Sequence, residues 1–360
     1  MRILHVISSL NTGGAEKLIV DSIPEYQKKK LSVDVLVLKD DKTEFRSQLE
    51  ARTNGTVTGL TRGSVYNPFL IIKIIPFLKQ YSLIHVHLFP ALYWVVFAKI
   101  LSFSKKPIVY TEHSTENRRR GNKLFKKIDK YIYSKLDFIG CISQATYQNL
   151  QGYLKRDDNR LKVIENGINL NDFQKKRYQK KYSFFDKENF VLIQVSSFRE
   201  QKDQQTLIKA LTKLPESIKL LLVGDGELRK EREKQVFKLG LKDRVFFTGK
   251  RYDIPELYSY SDVAILSSNY EGFGLAIVEG MASKKPVIAS SVDGLREIVE
   301  GYGLLFEKGN SDSLAEKILK LYENKTFYKE VAEKCYHRSN NFSIETMVKK
   351  YINVYKNETY

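Results

Sequence analysis

Two carboxylates eight residues apart, Glu271 and Glu279, bracket a Gly272-Phe273-Gly274-Leu275 turn that leads from an apolar, strand-like run into an amphipathic helix. The first turn of a helix offers amides to an anion, and the amides of Phe273 to Ala276 occupy that place here. A carboxylate beside a phosphate is a contradiction unless it accepts hydrogen bonds from hydroxyls. A sugar nucleotide carries both groups. Lys202, in Ser196-Ser197-Phe198-Arg199-Glu200-Gln201-Lys202-Asp203, stands at the expected start of another helix. A cation there opposes the helix dipole unless it faces a bound phosphate; a solvated surface lysine is the competing reading.

Three further places invite chemistry. Gly13 and Gly14 carry the first strand into the first helix and let backbone approach a ligand closely. The same pair is equally a plain turn, and it is not the G-x-G-x-x-G fingerprint of dinucleotide binding. His113 ends the run Tyr110-Thr111-Glu112-His113 at the carboxyl end of a strand, where it could bond a substrate, shuttle a proton or be satisfied by backbone. His85 and His87 share one strand face, but no third ligand is apparent, so no metal is expected there.

These loops need strands and helices to hold them. Apolar runs at Ile3–Ile7, Val33–Leu38, Leu83–Leu88, Ile108–Tyr110 and Phe138–Ile142 alternate with helical periodicity, and a second set follows at Phe190–Val195, Lys219–Val223, Val245–Phe247, Val263–Leu266 and Pro286–Ala289. Such alternation predicts parallel sheets covered by helices. The expected fold is α/β: two Rossmann-like domains, 1–167 and 168–342, facing across a cleft, with a C-terminal helix over 343–360 returning to the first domain. The polar stretch 166–189 reads as the linker. Ligands bind such sheets outside the carboxyl ends of the strands.

In this order and spacing the motifs resemble the family 4 retaining glycosyltransferases of GT-B fold. The E-x7-E pattern of Glu271 and Glu279 within Glu271-Gly272-Phe273-Gly274-Leu275 carries the likeness. It extends through Gly13-Gly14-Ala15-Glu16, Glu112-His113, Asn166-Gly167-Ile168, Gln201-Lys202, Gly224-Asp225-Gly226 and Gly294-Leu295-Arg296-Glu297. The resemblance implies a nucleotide-sugar donor with Glu271 at the sugar hydroxyls near the reacting carbon, Lys202 at the pyrophosphate and Glu279 at the ribose. The amides of Gly272 to Leu275 would meet the phosphates, and His113 would approach the sugar from the first domain. It also implies retention of anomeric configuration, with no covalent nucleophile assigned. Many members carry an arginine five positions before the lysine. Here that position is Ser197, so Arg199, Lys250, Arg251 or the Gly13-Gly14 loop region must supply any second phosphate cation. No Asp-x-Asp triplet occurs, and neither metal nor cofactor is expected.

The chain of 360 residues has 60 basic and 42 acidic side chains, a net charge of +18, which favours an anionic partner. Between Lys99 and Lys135 lie 11 basic and 3 acidic residues. Trp94, Phe97, Phe103 and Phe125 are expected beside Lys105, Lys106, Arg118 to Arg120, Lys126 and Lys127, a pattern suited to an anionic membrane surface. A polyprenyl-linked glycan would be the acceptor there, in capsule, lipopolysaccharide or exopolysaccharide synthesis, and a soluble glycan is the alternative. No run is long and apolar enough to span a bilayer, and the two cysteines lack metal or disulfide spacing, so the expected place is the cytoplasm or the inner face of the membrane. A sugar-nucleotide epimerase of the same plan is the rival enzyme. Nucleic-acid binding has only the charge in its favour and is not expected.

Overall fold

A computed structural model describes residues 1–115, 118–155, 158–174 and 182–359, with backbone alone for Arg118, Arg119 and Thr359. The linker reading therefore falls partly outside the described residues. Two compact units emerge, Met1–Gly167 with Ile344–Tyr360, and Ile168–Ser343.

The first unit is a seven-stranded parallel sheet made of β1 (Arg2–Ile7), β2 (Ser32–Lys39), β3 (Val57–Thr61), β4 (Leu83–His87), β5 (Ile108–Glu112), β6 (Phe138–Cys141) and β7 (Leu161–Val163). Their order is β3-β2-β1-β4-β5-β6-β7. Buried runs such as Ile3-Leu4-His5-Val6-Ile7 explain why the central strands lack alternation, since helices cover both faces. The outer strands β3 and β7, which sequence patterning does not reveal, are short and incompletely buried.

The second unit holds β8 (Phe190–Val195), β9 (Ile218–Val223), β10 (Val245–Gly249), β11 (Val263–Leu266), β12 (Val287–Ser290) and β13 (Leu304–Phe306). These are ordered β10-β9-β8-β11-β12-β13, and every pairing is parallel. The fold is thus the expected pair of Rossmann-like sheets.

The C-terminal helix, Ile344–Thr359, does return to the first unit. Ile344, Met347, Val348, Tyr351 and Tyr355 fall on one helical face and are buried with Leu18, Ile19, Val20, Ile23 and Tyr26, all on the helix Gly14–Lys28.

Two expectations about the basic region need correction. Trp94 and Phe97 pack against the core, with Trp94 Nε1 donating to the carbonyl of Val65 at 2.7 Å. Arg120 is largely withdrawn from solvent rather than displayed: its guanidinium donates to Glu112 at 2.9 Å and to Asn149, because the buried Glu112 carboxylate needs a cation.

Removing the Tyr351 ring should cost about 3 to 5 kcal/mol, the usual range for an aromatic truncated in a core. Urea unfolding of Tyr351→Ala would show it, and an unchanged midpoint would mean that the C-terminal helix contributes nothing to the first unit.

Candidate functional site

The order of the second sheet reverses between β8 and β11, so the loops leaving their carboxyl ends diverge and open a binding crevice. Both loops carry sequence-identified residues. Lys202 precedes the helix Gln204–Leu211, which begins two residues later than expected, with Asp203 as its cap. Glu271 lies on the loop after β11, and the Lys202 ammonium is ion-paired with its Oε2. The amide of Gly272 donates to the other carboxylate oxygen at 3.2 Å.

Hydrogen bonds stitch the two loops together. Asn269 N donates to Gln201 O at 2.7 Å, Gln201 Nε2 to Tyr270 O at 3.1 Å, and Asn269 Nδ2 to Glu200 O at 2.7 Å. Gln194, the one polar side chain in β8, is buried beneath them. It donates to Lys202 O at 2.9 Å and accepts from Ser267 N at 3.4 Å. Sequence reasoning missed it, although an amide in the run Phe-Val-Leu-Ile-Gln-Val was the available signal.

Gly274 caps the helix Leu275–Ala282 at φ +90°, a conformation that side chains disfavour, and supplies no capping group of its own. The amides of the first turn are therefore offered to an anion. Glu279 is buried one turn along the same helix. Gly294 backs the loop from the next strand end, where an added Cβ would lie 2.3 Å from the carbonyl oxygen of Glu271. Gly224-Asp225-Gly226 supports the other loop: Phe198 N donates to Asp225 O at 3.0 Å, and Leu228 N to Phe198 O at 3.0 Å. These two sequence motifs thus hold the site's backbone.

The candidate second cations differ. Arg199 is exposed and makes no side-chain ion pair among the described residues, whereas Ser197 fixes its loop by accepting from Gln204 Nε2 at 2.9 Å through its carbonyl. Arg251 is committed to Asp253 and lies over the Tyr182 ring, and Lys250 is exposed beside it, both following the edge strand β10. Neither contacts the Lys202 and Glu271 loops among the described residues.

In the first unit Gly13 caps the helix Gly14–Lys28 without a side-chain bond. His113, half-buried at the end of β5, contacts His87 (Nε2 to Nδ1, 3.1 Å), and His87 contacts His5 (Nε2 to Nδ1, 3.1 Å). The sequence reading found no third partner for His85 and His87, but parallel pairing sets His5 on β1 opposite His85 on β4. The three rings bring nitrogen atoms within 4.8 Å of one another, close enough to consider a metal. His85 already bonds Tyr355 OH at 2.6 Å and Thr111 Oγ1 at 2.8 Å. Burial holds His5, His85, His87 and His113 below the ordinary imidazole range, His5 to about 3, so the rings are neutral.

Comparison with known proteins assigns each half of the chain. Residues 12–172 match the Glycosyltransferase Family 4 model and residues 174–339 the Glycosyl transferases group 1 model. An uncharacterized glycosyltransferase of Methanocaldococcus jannaschii is 36% identical over 69% of this chain and 68% of its own. A Campylobacter jejuni α-1,4-N-acetyl-D-galactosaminyltransferase, named for an undecaprenol-diphosphate-linked glycan, is 24% identical over 98% and 97%. The crystal structure of Anabaena HepE in complex with UDP and glucose superimposes with a TM-score of 0.86, at 27% identity over 98% of this chain and 99% of that one.

Buried neutral histidines give acidity a definite sign. The unfolded rings take up protons near pH 6.5 and the folded ones only lower, so stability falls as pH drops below about 6.5, by at most about 1.4 kcal/mol per pH unit per ring. The Tm should therefore decline between pH 7 and pH 5; a flat Tm would show that the folded chain already carries these protons.

Proposed function

The chain belongs to the family 4, group 1 glycosyltransferases, and from that premise we propose that it transfers a hexose from a UDP-sugar to a glycan carried on a lipid diphosphate. The observation that carries this reading is the Lys202–Glu271 pair at the β8/β11 reversal, beside the uncapped helix at Gly274. A glycosyl bond to diphosphate breaks as negative charge grows on the leaving phosphate and positive charge on the ring. Lys202 and the first-turn amides stabilise the former, and Glu271 accepts from sugar hydroxyls near the latter. Glu279 takes the ribose hydroxyls and Arg199 is the second phosphate cation. HepE, crystallised with UDP and glucose, supports the donor class, and the Campylobacter transferase supports the acceptor class.

A lipid-linked acceptor asks the enzyme to reach a membrane surface. Among the described residues no helix is long and apolar enough to cross one. The helices Leu70–Gln80 and Lys123–Ser134 both pack on Ala91–Leu101, and around them Phe69, Phe103 and Leu124 are exposed by 71%, 91% and 65%. Lys105, Lys123 and Lys127 are exposed in the same region. Apolar groups that can enter the headgroup layer, ringed by cations, suit peripheral docking on an anionic leaflet at the cytoplasmic side.

A thermal-shift panel of UDP-glucose, UDP-galactose, UDP-N-acetylglucosamine and GDP-mannose identifies the donor, because a bound ligand raises the Tm. With that donor, Glu271→Gln and Lys202→Ala should each lose about 10²- to 10³-fold in kcat while the Tm stays near wild type. Near-normal turnover in both would place the site elsewhere. EDTA should leave transfer intact, and loss restored by magnesium would reject metal-free departure. Epimer formation without acceptor would favour the epimerase reading.

Docking is read by co-sedimentation with phosphatidylglycerol vesicles. Binding should weaken at raised salt and in the combined Phe103→Glu, Leu124→Glu, Lys127→Glu variant. Equal binding to phosphatidylcholine vesicles, or none to either, would leave a soluble acceptor.

A further inference from the structure

The imidazoles of the first unit form a line with one direction of hydrogen bonding. Each contact joins Nε2 of one ring to Nδ1 of the next: His113 to His87, then His87 to His5, both at 3.1 Å. His5 Nε2 ends the line at the hydroxyl of Tyr355, 3.4 Å away. A neutral imidazole carries one hydrogen, so a ring that donates through Nε2 must accept through Nδ1. The tautomer of any ring in the line therefore fixes the others.

Tyr355 chooses the direction. Its single proton goes to the hydroxyl of Tyr26 at 3.1 Å, so toward His5 the Tyr355 oxygen presents only lone pairs. His5, buried, must meet it with Nε2–H, since a lone pair facing that oxygen would leave the buried His5 Nε2 unsatisfied. His5 Nδ1 then accepts from His87 Nε2–H, and His87 Nδ1 accepts from His113 Nε2–H. His85 is accommodated in the same scheme, donating from Nδ1 to Tyr355 at 2.6 Å and accepting at Nε2 from Thr111, which in turn accepts from Tyr351 at 2.7 Å.

We propose that Tyr355, His5 and His87 are positioning residues that hold His113 as the neutral Nε2–H tautomer, leaving its Nδ1 lone pair as an acceptor for a hydroxyl of the bound sugar. His113 Nδ1 has no partner among the described residues, as a ligand-facing atom should. A lone pair attracts a hydroxyl and repels a phosphate oxygen, so His113 sorts sugar from phosphate. The hydroxyl half of this inference rests on the glycosyltransferase reading above; the tautomer half does not. The three-imidazole cluster is on this account a set of hydrogen-bonding partners, with the Nδ1 lone pairs of His5 and His87 already engaged.

The test is long-range ¹H–¹⁵N correlation of ring nitrogens in the full chain labelled at histidine, with the exposed His337 as an ordinary titrating reference. His5, His87 and His113 are expected to carry hydrogen on Nε2, and His85 on Nδ1. In Tyr355→Phe all three rings of the line should shift together toward mixed tautomers, His113 included, with the Tm and circular dichroism confirming the fold. A merely structural tyrosine would disturb His5 and His85 and leave His113 unmoved. Finding His113 with Nδ1–H in the wild type, or unmoved in the variant, overturns the line. Zinc sulfate should leave the spectrum unchanged, and coordination by His5, His85 and His87 would overturn it as well. Adding the nucleotide sugar selected by the thermal-shift panel should move His113 Nδ1, while UDP alone should not. A bound sugar nucleotide without that shift refutes the hydroxyl role. Absence of binding by every nucleotide sugar refutes instead the transferase reading, and the ligand-free spectrum still decides the line.

Discussion

The ion pair of Lys202 with Glu271 is the contact around which the second unit is arranged. Its partners leave the sheet on opposite sides of the β8/β11 reversal, and their side chains are only 16% and 12% exposed. Two charges withdrawn that far from water need each other until a ligand arrives, because either one left alone would bear most of its desolvation cost. Asn269, Gln201 and Gln194 hold the backbone so that the charges meet without reaching across open solvent. Gly294 is small because the carbonyl of Glu271 passes where a Cβ would be. Motifs that appear separately in the sequence are thus parts of one support.

The first unit has the opposite electrostatic character. Its polar centre is uncharged, a set of imidazoles and phenols whose burial keeps them neutral and which hydrogen-bond to one another. Such a network specifies geometry rather than strength, since each member restricts the donor and acceptor roles of its neighbours. Tyr351 and Tyr355 come from the last helix of the chain, which gives its return a chemical purpose beside the apolar burial of Met347 and Val348.

Much of this was legible in the sequence, and the gaps have physical causes. Ten strands were readable as apolar runs, nine of them interior strands of the two sheets, while the edge strands β3, β7 and β13 carry little such signal. Glu271, Lys202 and the Gly274 turn stood out because local spacing expresses a helix start. His5 and Tyr355 did not, because their place in the line depends on strand register and on a helix arriving from 350 residues away. Trp94, Phe97 and Arg120 were misread for a related reason. Helical periodicity shows that a face is apolar or basic, but which neighbour covers it is decided by packing, and Glu112 drew Arg120 inward.

The absence of an arginine at Ser197 has its own logic in this arrangement. A nucleoside diphosphate bound as proposed would bring negative charge to a place where the partly buried Lys202 is already balanced by Glu271. Attraction for the phosphates must then come from groups that are not neutralised. The first-turn amides after Gly274 are one such source, carrying roughly half a positive charge by dipole alignment. Arg199 is another, exposed on the same loop as Lys202 and without an ion pair among the described residues, while Arg251 is cancelled by Asp253. Ser197, with its carbonyl fixed by Gln204, helps hold the loop, and the proposed reading gives the cationic role to the side chain two residues further on. On the proposed reading, that displacement moves the second positive charge from an inner position to an exposed one, where it would screen a bound phosphate less completely than an arginine within the loop.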